Sequence, residues 1–178
     1  MLIAGIDSGK KGAIGWINDT GNFVFLCDIP NGIAFNSLPR YADVAFVFVE
    51  KVTPFLGAKT NKGRRELTGS PESIMTMGRQ YERAMIAAQV IQKYSQIDCI
   101  IKEINPRNKN KKTGLPGWKP FLGLKADKDQ AHWMACNLFP AAKTLLYGPR
   151  GGKLYDRAEA LLIAEAGRLL TNQKGAMP

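Results

Sequence analysis

The stretch MLIAGIDSGKKGAIGWINDTGNFVFLC, residues 1–27, decides the fold of this chain. It contains three short runs of β-forming residues, at 2–6, 13–17 and 22–27. A Gly-rich segment separates the first two runs, and the turn-forming sequence NDTG separates the second from the third. The pattern predicts an antiparallel meander of three strands, with Asp7 directly after the first.

Downstream of the meander, the sequence predicts alternating strands and helices. A strand is expected at 44–49, and apolar residues at helical spacing predict a helix over 71–94 with Ser70 as its N-cap. A strand at 97–102 would follow that helix through a right-handed crossover and pair in parallel. The other segments are a loop at 103–126 and two helices at 127–139 and 155–170. We therefore expect an α/β fold with a mixed five-stranded sheet, three antiparallel strands followed by parallel crossovers, flanked by helices.

The length of 178 residues fits one domain. We expect this domain to span 1–170 and a flexible tail to follow at 171–178. No apolar run reaches the roughly 18 residues of a membrane span, and the N-terminus has no signal-peptide pattern. The sequence therefore predicts a soluble, cytoplasmic protein with no membrane partner.

Four acidic residues, Asp7, Glu50, Asp156 and Glu159, stand where acids are unexpected. The first two each follow an apolar strand, and the last two lie three residues apart at the start of the final predicted helix. Carboxylates that converge repel one another unless a cation compensates them, and oxygen ligands favour Mg²⁺ or Mn²⁺ over zinc. Two such ions about 4 Å apart can activate a water and stabilise a leaving oxygen. The acids therefore predict phosphodiester hydrolysis.

Each acid also has a simpler explanation when it is considered alone. Asp7 could accept hydrogen bonds from the amides of the following turn, and Glu50 could pair with a neighbouring lysine. Asp156 could cap the last helix, with Glu159 as its capping-box partner. The order of the acids favours the metal site, because one follows the first strand, one follows the fourth, and a pair opens the last helix.

Basic residues outnumber acidic ones by 25 to 15, which gives a net charge of +10 and favours a polyanionic partner. They are clustered in three segments near the acids. The clusters are Lys102, Arg107, Lys109, Lys111, Lys112, Lys119, Lys125 and Lys128; Lys59, Lys62, Arg64 and Arg65; and Arg150 with Lys153. Such clustering is typical of phosphate binding rather than of solubility alone.

Four motifs carry a resemblance that covers most of the chain: GIDSGKKGAIG at 5–15, VFVEKV at 47–52, WKPFLGLKADKDQAHWMACNLFP at 118–140 and DRAEALLIAEAG at 156–167. With these motifs the chain resembles the RuvC branch of the RNase H-like nucleases, in particular the short phage-type RuvC-like Holliday junction resolvases. The resemblance implies an RNase H-like fold and a homodimeric, Mg²⁺-dependent endonuclease that makes paired nicks across four-way DNA junctions. It also implies that the cytoplasm in question is that of a bacterial or phage-infected cell.

The resemblance also implies roles for individual residues. Asp7, Glu50, Asp156 and Glu159 match the family's four metal-binding acids. The third of these is His in some relatives and the fourth is often Asp, so the longer Glu159 side chain changes the metal spacing. Lys128 matches a basic residue near the scissile phosphate, where a positive charge stabilises a developing anion. Its alternative role is a solvated charge on the first turn of a helix.

Aromatic and basic side chains would hold the DNA. Phe55 matches a residue that wedges between bases at an opened junction, with Leu56 as a rival and a core role for Phe55 as an alternative. Trp118 is a candidate for stacking on a base or for anchoring the basic loop. The three basic clusters, together with Lys10 and Lys11 in the first loop, would bind DNA phosphates.

Three other functions fit parts of the pattern. A broader nuclease could cut flaps, forks or three-way junctions, and a non-catalytic protein could bind branched DNA with the same basic clusters. An actin-like ATPase also carries D-x-G after its first strand. That fold pairs two such domains, so the length argues against it and no nucleotide cofactor is expected.

Overall fold

The computed structural model describes residues 1–30, 38, 41–51, 56–59, 65–67, 70–107 and 116–175. Within this part of the chain, the elements are β1 (Leu2–Asp7), β2 (Ala13–Asn18), β3 (Phe23–Asp28), β4 (Val44–Glu50), β5 (Leu56–Lys59), β6 (Arg65–Leu67), α1 (Pro71–Tyr94), β7 (Ile100–Ile104), α2 (Trp118–Phe121), α3 (Lys128–Leu138), a 3₁₀ helix (Pro140–Leu146) and α4 (Tyr155–Gly175). The strand β4, the helix α1 and the strand β7 follow the meander in the order that the sequence predicts, and the last helices close the described chain.

The main sheet has five strands in the order β3-β2-β1-β4-β7. Strands β1, β2 and β3 form the predicted antiparallel meander. Strand β4 pairs in parallel with β1, and β7 pairs in parallel with β4 after the α1 crossover. The predicted α/β class and mixed sheet are confirmed.

Two hydrophobic cores lie on opposite faces of this sheet. Side chains alternate between the faces along each strand. In β1, Ala4 and Ile6 join the core beneath α1, whereas Ile3 joins the core beneath α3 and α4. In β4, Val49 belongs to the α1 side and Phe48 to the α4 side. This alternation determines the face on which the last residue of each strand lies.

Helix α1 has the predicted bounds and the predicted cap. The Ser70 side chain accepts a hydrogen bond from the Ser73 amide at 3.2 Å. The strand after the helix begins at Ile100 rather than at the predicted residue 97. The Ser95 hydroxyl donates to the Val44 carbonyl at 2.9 Å and accepts from the Ile97 amide at 3.3 Å. These bonds hold a turn where the prediction extended the strand.

Three further elements differ from the prediction. The segment expected to be a loop at 103–126 contains the end of β7 and the short helix α2. Strands β5 and β6 pair as a small antiparallel hairpin that the sequence did not indicate. Helix α4 continues past the predicted end at Leu170 to Gly175, so it covers part of the expected tail, and 176–178 lie outside the described residues.

Among the described helices, none has the length and apolar composition needed to cross a membrane.

Candidate metal centre

Asp7 and Glu50 are the last residues of the neighbouring parallel strands β1 and β4. They lie side by side because the two strands pair along their length up to this edge of the sheet. Both acids also lie on the face of the sheet that α4 covers. Asp7 follows Ile3, and Glu50 follows Phe48, by an even number of residues, and side chains at even spacing lie on the same face of a strand. Asp7 is only 2% exposed. The strand pattern therefore brings two carboxylates to one buried edge.

Helix α4 brings the third carboxylate, that of Glu159. The helix backbone lies directly on β1, so a Cβ built on Gly5 would meet the Ala160 carbonyl oxygen at 2.3 Å. This close approach places the first turns of α4 beside the ends of β1 and β4. Asp7, Glu50 and Glu159 each offer one oxygen, and these oxygens lie within 4.8 Å of one another. We call these three residues the acid cluster.

Helix α2 supplies two partners to the acid cluster. The fully buried Trp118 donates its indole N–H to Glu50 Oε1 at 3.1 Å. Lys119 donates from its ammonium group to Glu159 Oε1 at 2.6 Å. The Ser8 hydroxyl also donates to the backbone carbonyl of Glu50 at 3.1 Å. These bonds fix the orientation of two of the three carboxylates.

The electrostatics of the cluster favour a bound cation. Burial, followed by the nearby Glu50 carboxylate, raises the pKa of Asp7 well above its usual value. Burial also raises the pKa of Glu50, although the Trp118 indole and the Lys119 ammonium oppose this. Among the described residues, Asp7 Oδ2 is buried without a hydrogen-bond partner. An all-oxygen set with an unpaired carboxylate oxygen fits a hard divalent cation such as Mg²⁺ or Mn²⁺.

Asp156 lies at the border of the cluster in the first turn of α4. Its Oδ2 accepts hydrogen bonds from the backbone amides of Lys11 and Gly12, both at 3.2 Å. A Cβ built on Gly9 would lie 3.1 Å from Asp156 Oδ2 and 3.0 Å from Asp7 Oδ2. The two carboxylates therefore face the same small space above Gly9. In this arrangement Asp156 holds the first loop against α4.

Two lysines differ in how close they lie to the cluster. Lys128, expected from the resemblance to lie near the scissile phosphate, begins α3 and is exposed. Its ammonium group lies 5.7 Å from the centroid of the Tyr155 ring, one residue before Asp156. Lys119, predicted only as a phosphate contact, instead reaches the cluster through Glu159. The structure thus adds Lys119 to the residues of the candidate centre.

The other predicted DNA-binding residues fall into three groups: those exposed at the surface, those on β5 and β6, and those outside the described residues. Those exposed at the surface are Lys10, Lys11, Arg107, Lys125, Arg150 and Lys153. Lys153 forms an ion pair with Asp129 at 2.5 Å. Lys59 and Arg65 lie on the paired strands of the hairpin, and Leu56 is the first residue of β5. Outside the described residues lie Phe55, Lys62, Arg64, Lys109, Lys111 and Lys112.

No protein-family model and no curated protein matches the sequence. Among solved structures, T. thermophilus RuvC in complex with a Holliday junction substrate matches with a TM-score of 0.56. The two chains are 14% identical, and the match covers 97% of this chain and 96% of that chain. The fold is RNase H-like. The likeness extends over the whole domain and confirms the fold expected from the resemblance.

Sequence reasoning missed the two partners supplied by α2. Trp118 was expected either to stack on a base or to be buried as an anchor of the basic loop. It is fully buried, as the second alternative requires, and its indole also donates to Glu50, which was not expected. The sequence WKPF at 118–121 carries a weak signal, because a tryptophan is highly buried on average even when its neighbours in sequence are polar. Neither the partner of Lys119 nor that of Trp118 can be read from that signal.

Proposed function

We propose that this protein is a metal-dependent endonuclease that resolves four-way DNA junctions by paired nicks. The acid cluster carries the proposal, because three carboxylates within 4.8 Å at one sheet edge, two of them buried, are costly without a cation. The cluster lies in an RNase H-like fold that matches a RuvC bound to a Holliday junction. The net charge of +10 is the kind expected for a DNA-binding chain.

Asp7, Glu50 and Glu159 would hold the ions, with Asp156 as a fourth ligand. Two Mg²⁺ or Mn²⁺ ions at such a centre supply an activated water and stabilise the leaving oxygen of the phosphodiester. The chain itself fixes the ligands in place, since Trp118 holds the Glu50 carboxylate. Burial of the cluster excludes bulk water and strengthens every electrostatic contact within it.

The exposed basic side chains would bind the DNA backbone on either side of the cluster. Lys10 and Lys11 lie on the loop next to Asp156, and Lys128 lies beside the first turn of α4. We propose Lys128 as the contact to the phosphate near the cut, and Phe55 or Leu56 as the junction wedge. These contacts are phosphate contacts and stacking, which recognise DNA shape rather than base sequence.

Paired nicks require two active sites, which we propose are provided by a homodimer. Helix α1 is the candidate for part of the interface. Met75 is 58% exposed and Ile86 is 38% exposed on this helix. Exposed apolar side chains on a long helix are a common feature of subunit contacts. A dimer would place one acid cluster on each of two opposed DNA strands.

Mapping nicks on synthetic DNAs tests the proposed function. The protein with Mg²⁺ is incubated with a four-way junction, a flap, a three-way junction and a linear duplex of shared sequence. We expect symmetric nicks on the four-way junction, with ends that a ligase can seal. Comparable cutting of the flap and three-way junction would support the broader branched-DNA nuclease instead. Binding without any cutting would support the non-catalytic protein, and ATP hydrolysis alone would support the actin-like alternative.

Salt should weaken junction binding steeply if the exposed basic side chains contact phosphates. For about six phosphate contacts, affinity is expected to fall about 10³-fold between 50 and 200 mM salt. Replacing Arg107 or Lys125 with Ala should each reduce the slope of log K against log salt by about 1. Lys143→Ala, outside the three clusters, serves as the control and should leave the slope unchanged. A flat salt response of the unmodified protein would contradict the DNA-binding proposal.

A further inference from the structure

Lys119 occupies an unusual place for a lysine, inside the acid cluster. Its ammonium group lies 2.6 Å from Glu159 Oε1, and the two side chains are only 15% and 7% exposed. Lysines are rarely buried unless they are paired, because their ammonium group is strongly hydrated. The pairing therefore sets both the position of Lys119 and the charge of the cluster.

Backbone hydrogen bonds hold the segment that carries Lys119 beside the acid cluster. The Trp118 amide donates to the Asn105 carbonyl at 2.9 Å, and the Lys119 amide donates to the Pro106 carbonyl at 3.1 Å. These bonds tie α2 to the end of β7. The Trp118 ring lies beneath the lysine, with its centroid 4.9 Å from the Lys119 ammonium. Lys119 is thus built into the centre and is not a surface charge that happens to lie near it.

The three carboxylates of the cluster differ in how they are engaged. Glu50 Oε1 is held by a neutral indole N–H, and Asp7 Oδ2 has no hydrogen-bond partner among the described residues. Glu159 alone is paired with a cation from the chain itself. Asp156, the remaining acid, is held by two backbone amides. A divalent ion that needs Glu159 must therefore compete with the Lys119 ammonium group.

We propose that Lys119 is an internal counter-ion that competes with divalent cations for Glu159. This inference rests on the proposed function. Lys119 neutralises part of the charge of the acid cluster before the ion binds, so it keeps the cluster assembled but weakens ion binding. Its role is thus distinct from that of the exposed Lys128.

Mn²⁺ affinity, measured by calorimetry without DNA, tests the competition. Lys119→Met keeps the long apolar stem against Trp118 and removes the charge. We expect this variant to bind Mn²⁺ at least about tenfold more tightly than the unmodified protein, because a positive charge within a few ångströms of the ion is gone. A second variant, Lys119→Gln, should show the same direction of change and provides the result if Lys119→Met does not fold.

Lys143→Met is the control for net charge, since it removes one exposed lysine from the 3₁₀ helix. Its Mn²⁺ affinity should stay within about twofold of the unmodified protein, because exposed charges are screened by solvent and salt. Unchanged or weaker Mn²⁺ binding by both Lys119 variants would overturn the inference and leave the proposed function intact. Absence of Mn²⁺ binding by the unmodified protein would instead overturn the proposed function and this inference with it.

Discussion

Asp7→Asn is expected to abolish DNA cleavage and, at the same time, to raise the melting temperature of the metal-free protein. Asp7 is buried between Glu50 and Glu159, and its loss removes a ligand from the centre of the acid cluster. Metal ions contribute several kcal/mol to such reactions, so we expect a loss of at least about 10²–10³-fold in rate. Junction binding should be retained, because Asp7 is buried and is not one of the basic side chains proposed to bind phosphates.

The gain in stability follows from the direction of the pKa shift. Burial and the Glu50 carboxylate raise the pKa of Asp7 well above its usual value. The folded state therefore holds this proton at pH values where the unfolded chain, with a pKa of about 3.9, has lost it. The free energy of unfolding therefore falls as the pH rises from the pKa of the unfolded chain through the raised pKa of Asp7 in the folded protein. Asn removes this penalty, so its advantage should grow with pH and reach its full size above the folded pKa.

Asn also keeps the local hydrogen bond. The Gly9 amide donates to Asp7 Oδ1 at 3.2 Å, and an Asn oxygen can accept the same bond. The new Nδ2 group would replace Asp7 Oδ2, which lacks a partner among the described residues, with a donor that can face the Glu50 carboxylate. The substitution therefore removes repulsion without opening a cavity.

Thermal melts with EDTA and with Mn²⁺, over a range of pH, measure both effects. Each kcal/mol of stabilisation corresponds to about 2–4 °C for a protein of this size. Mn²⁺ should raise the melting temperature of the unmodified protein and have little effect on Asp7→Asn. Asp98→Asn, at an exposed acid before β7, should change neither melting nor cutting. The metal assignment of Asp7 would be contradicted if Asp7→Asn still cleaved DNA. It would also be contradicted if Asp7→Asn melted at a lower temperature than the unmodified protein in EDTA.

The sequence was sufficient to predict the five-stranded sheet and all three residues of the acid cluster. Alternation along β1 and β4 is a local pattern, and pairing of adjacent parallel strands brings their ends to one edge. Asp7 and Glu50 therefore lie where the strand pattern predicts. Glu159 could be predicted because it lies on the first turns of the last helix, and that helix packs on the same face of the sheet.

The contacts between distant segments could not be predicted. Lys119 and Glu159 are 40 residues apart, and the amide of Lys11 is 145 residues from the Asp156 carboxylate that it contacts. Helix α2 has only four residues, which is too short for a periodic pattern to indicate it. Its position depends on hydrogen bonds to the residues just after β7 and on burial of Trp118. Such contacts follow from tertiary packing, which no local pattern encodes.

Gly5→Ala is expected to destabilise the fold and the metal centre together. Gly5 lies in the middle of β1, where glycine is otherwise unfavourable. A Cβ at this position would meet the Ala160 carbonyl oxygen and the Ala164 amide nitrogen, both at 2.3 Å. These atoms belong to the backbone of α4, so no side-chain rotation can relieve the clash. The helix as a whole must move away from the sheet.

We expect the free energy of unfolding of Gly5→Ala to fall by about 3 kcal/mol or more, which corresponds to a fall of about 6–12 °C in melting temperature. Outward movement of α4 would also carry Glu159 away from Asp7 and Glu50. Mn²⁺ affinity should therefore weaken, and cleavage should fall, even at temperatures where the variant remains folded. Circular dichroism melts and calorimetry with Mn²⁺ measure the two effects separately.

Gly78→Ala is the matched control for this substitution. Gly78 lies on the exposed side of α1, and a Cβ there would meet no atom within 4 Å. Alanine should stabilise this helix position by about 0.4–1 kcal/mol. If Gly5→Ala melted like the unmodified protein and bound Mn²⁺ equally well, α4 could not be seated on β1 as described. In that case Glu159 would lose the packing that brings it to the acid cluster, and the three-carboxylate centre would have to be abandoned.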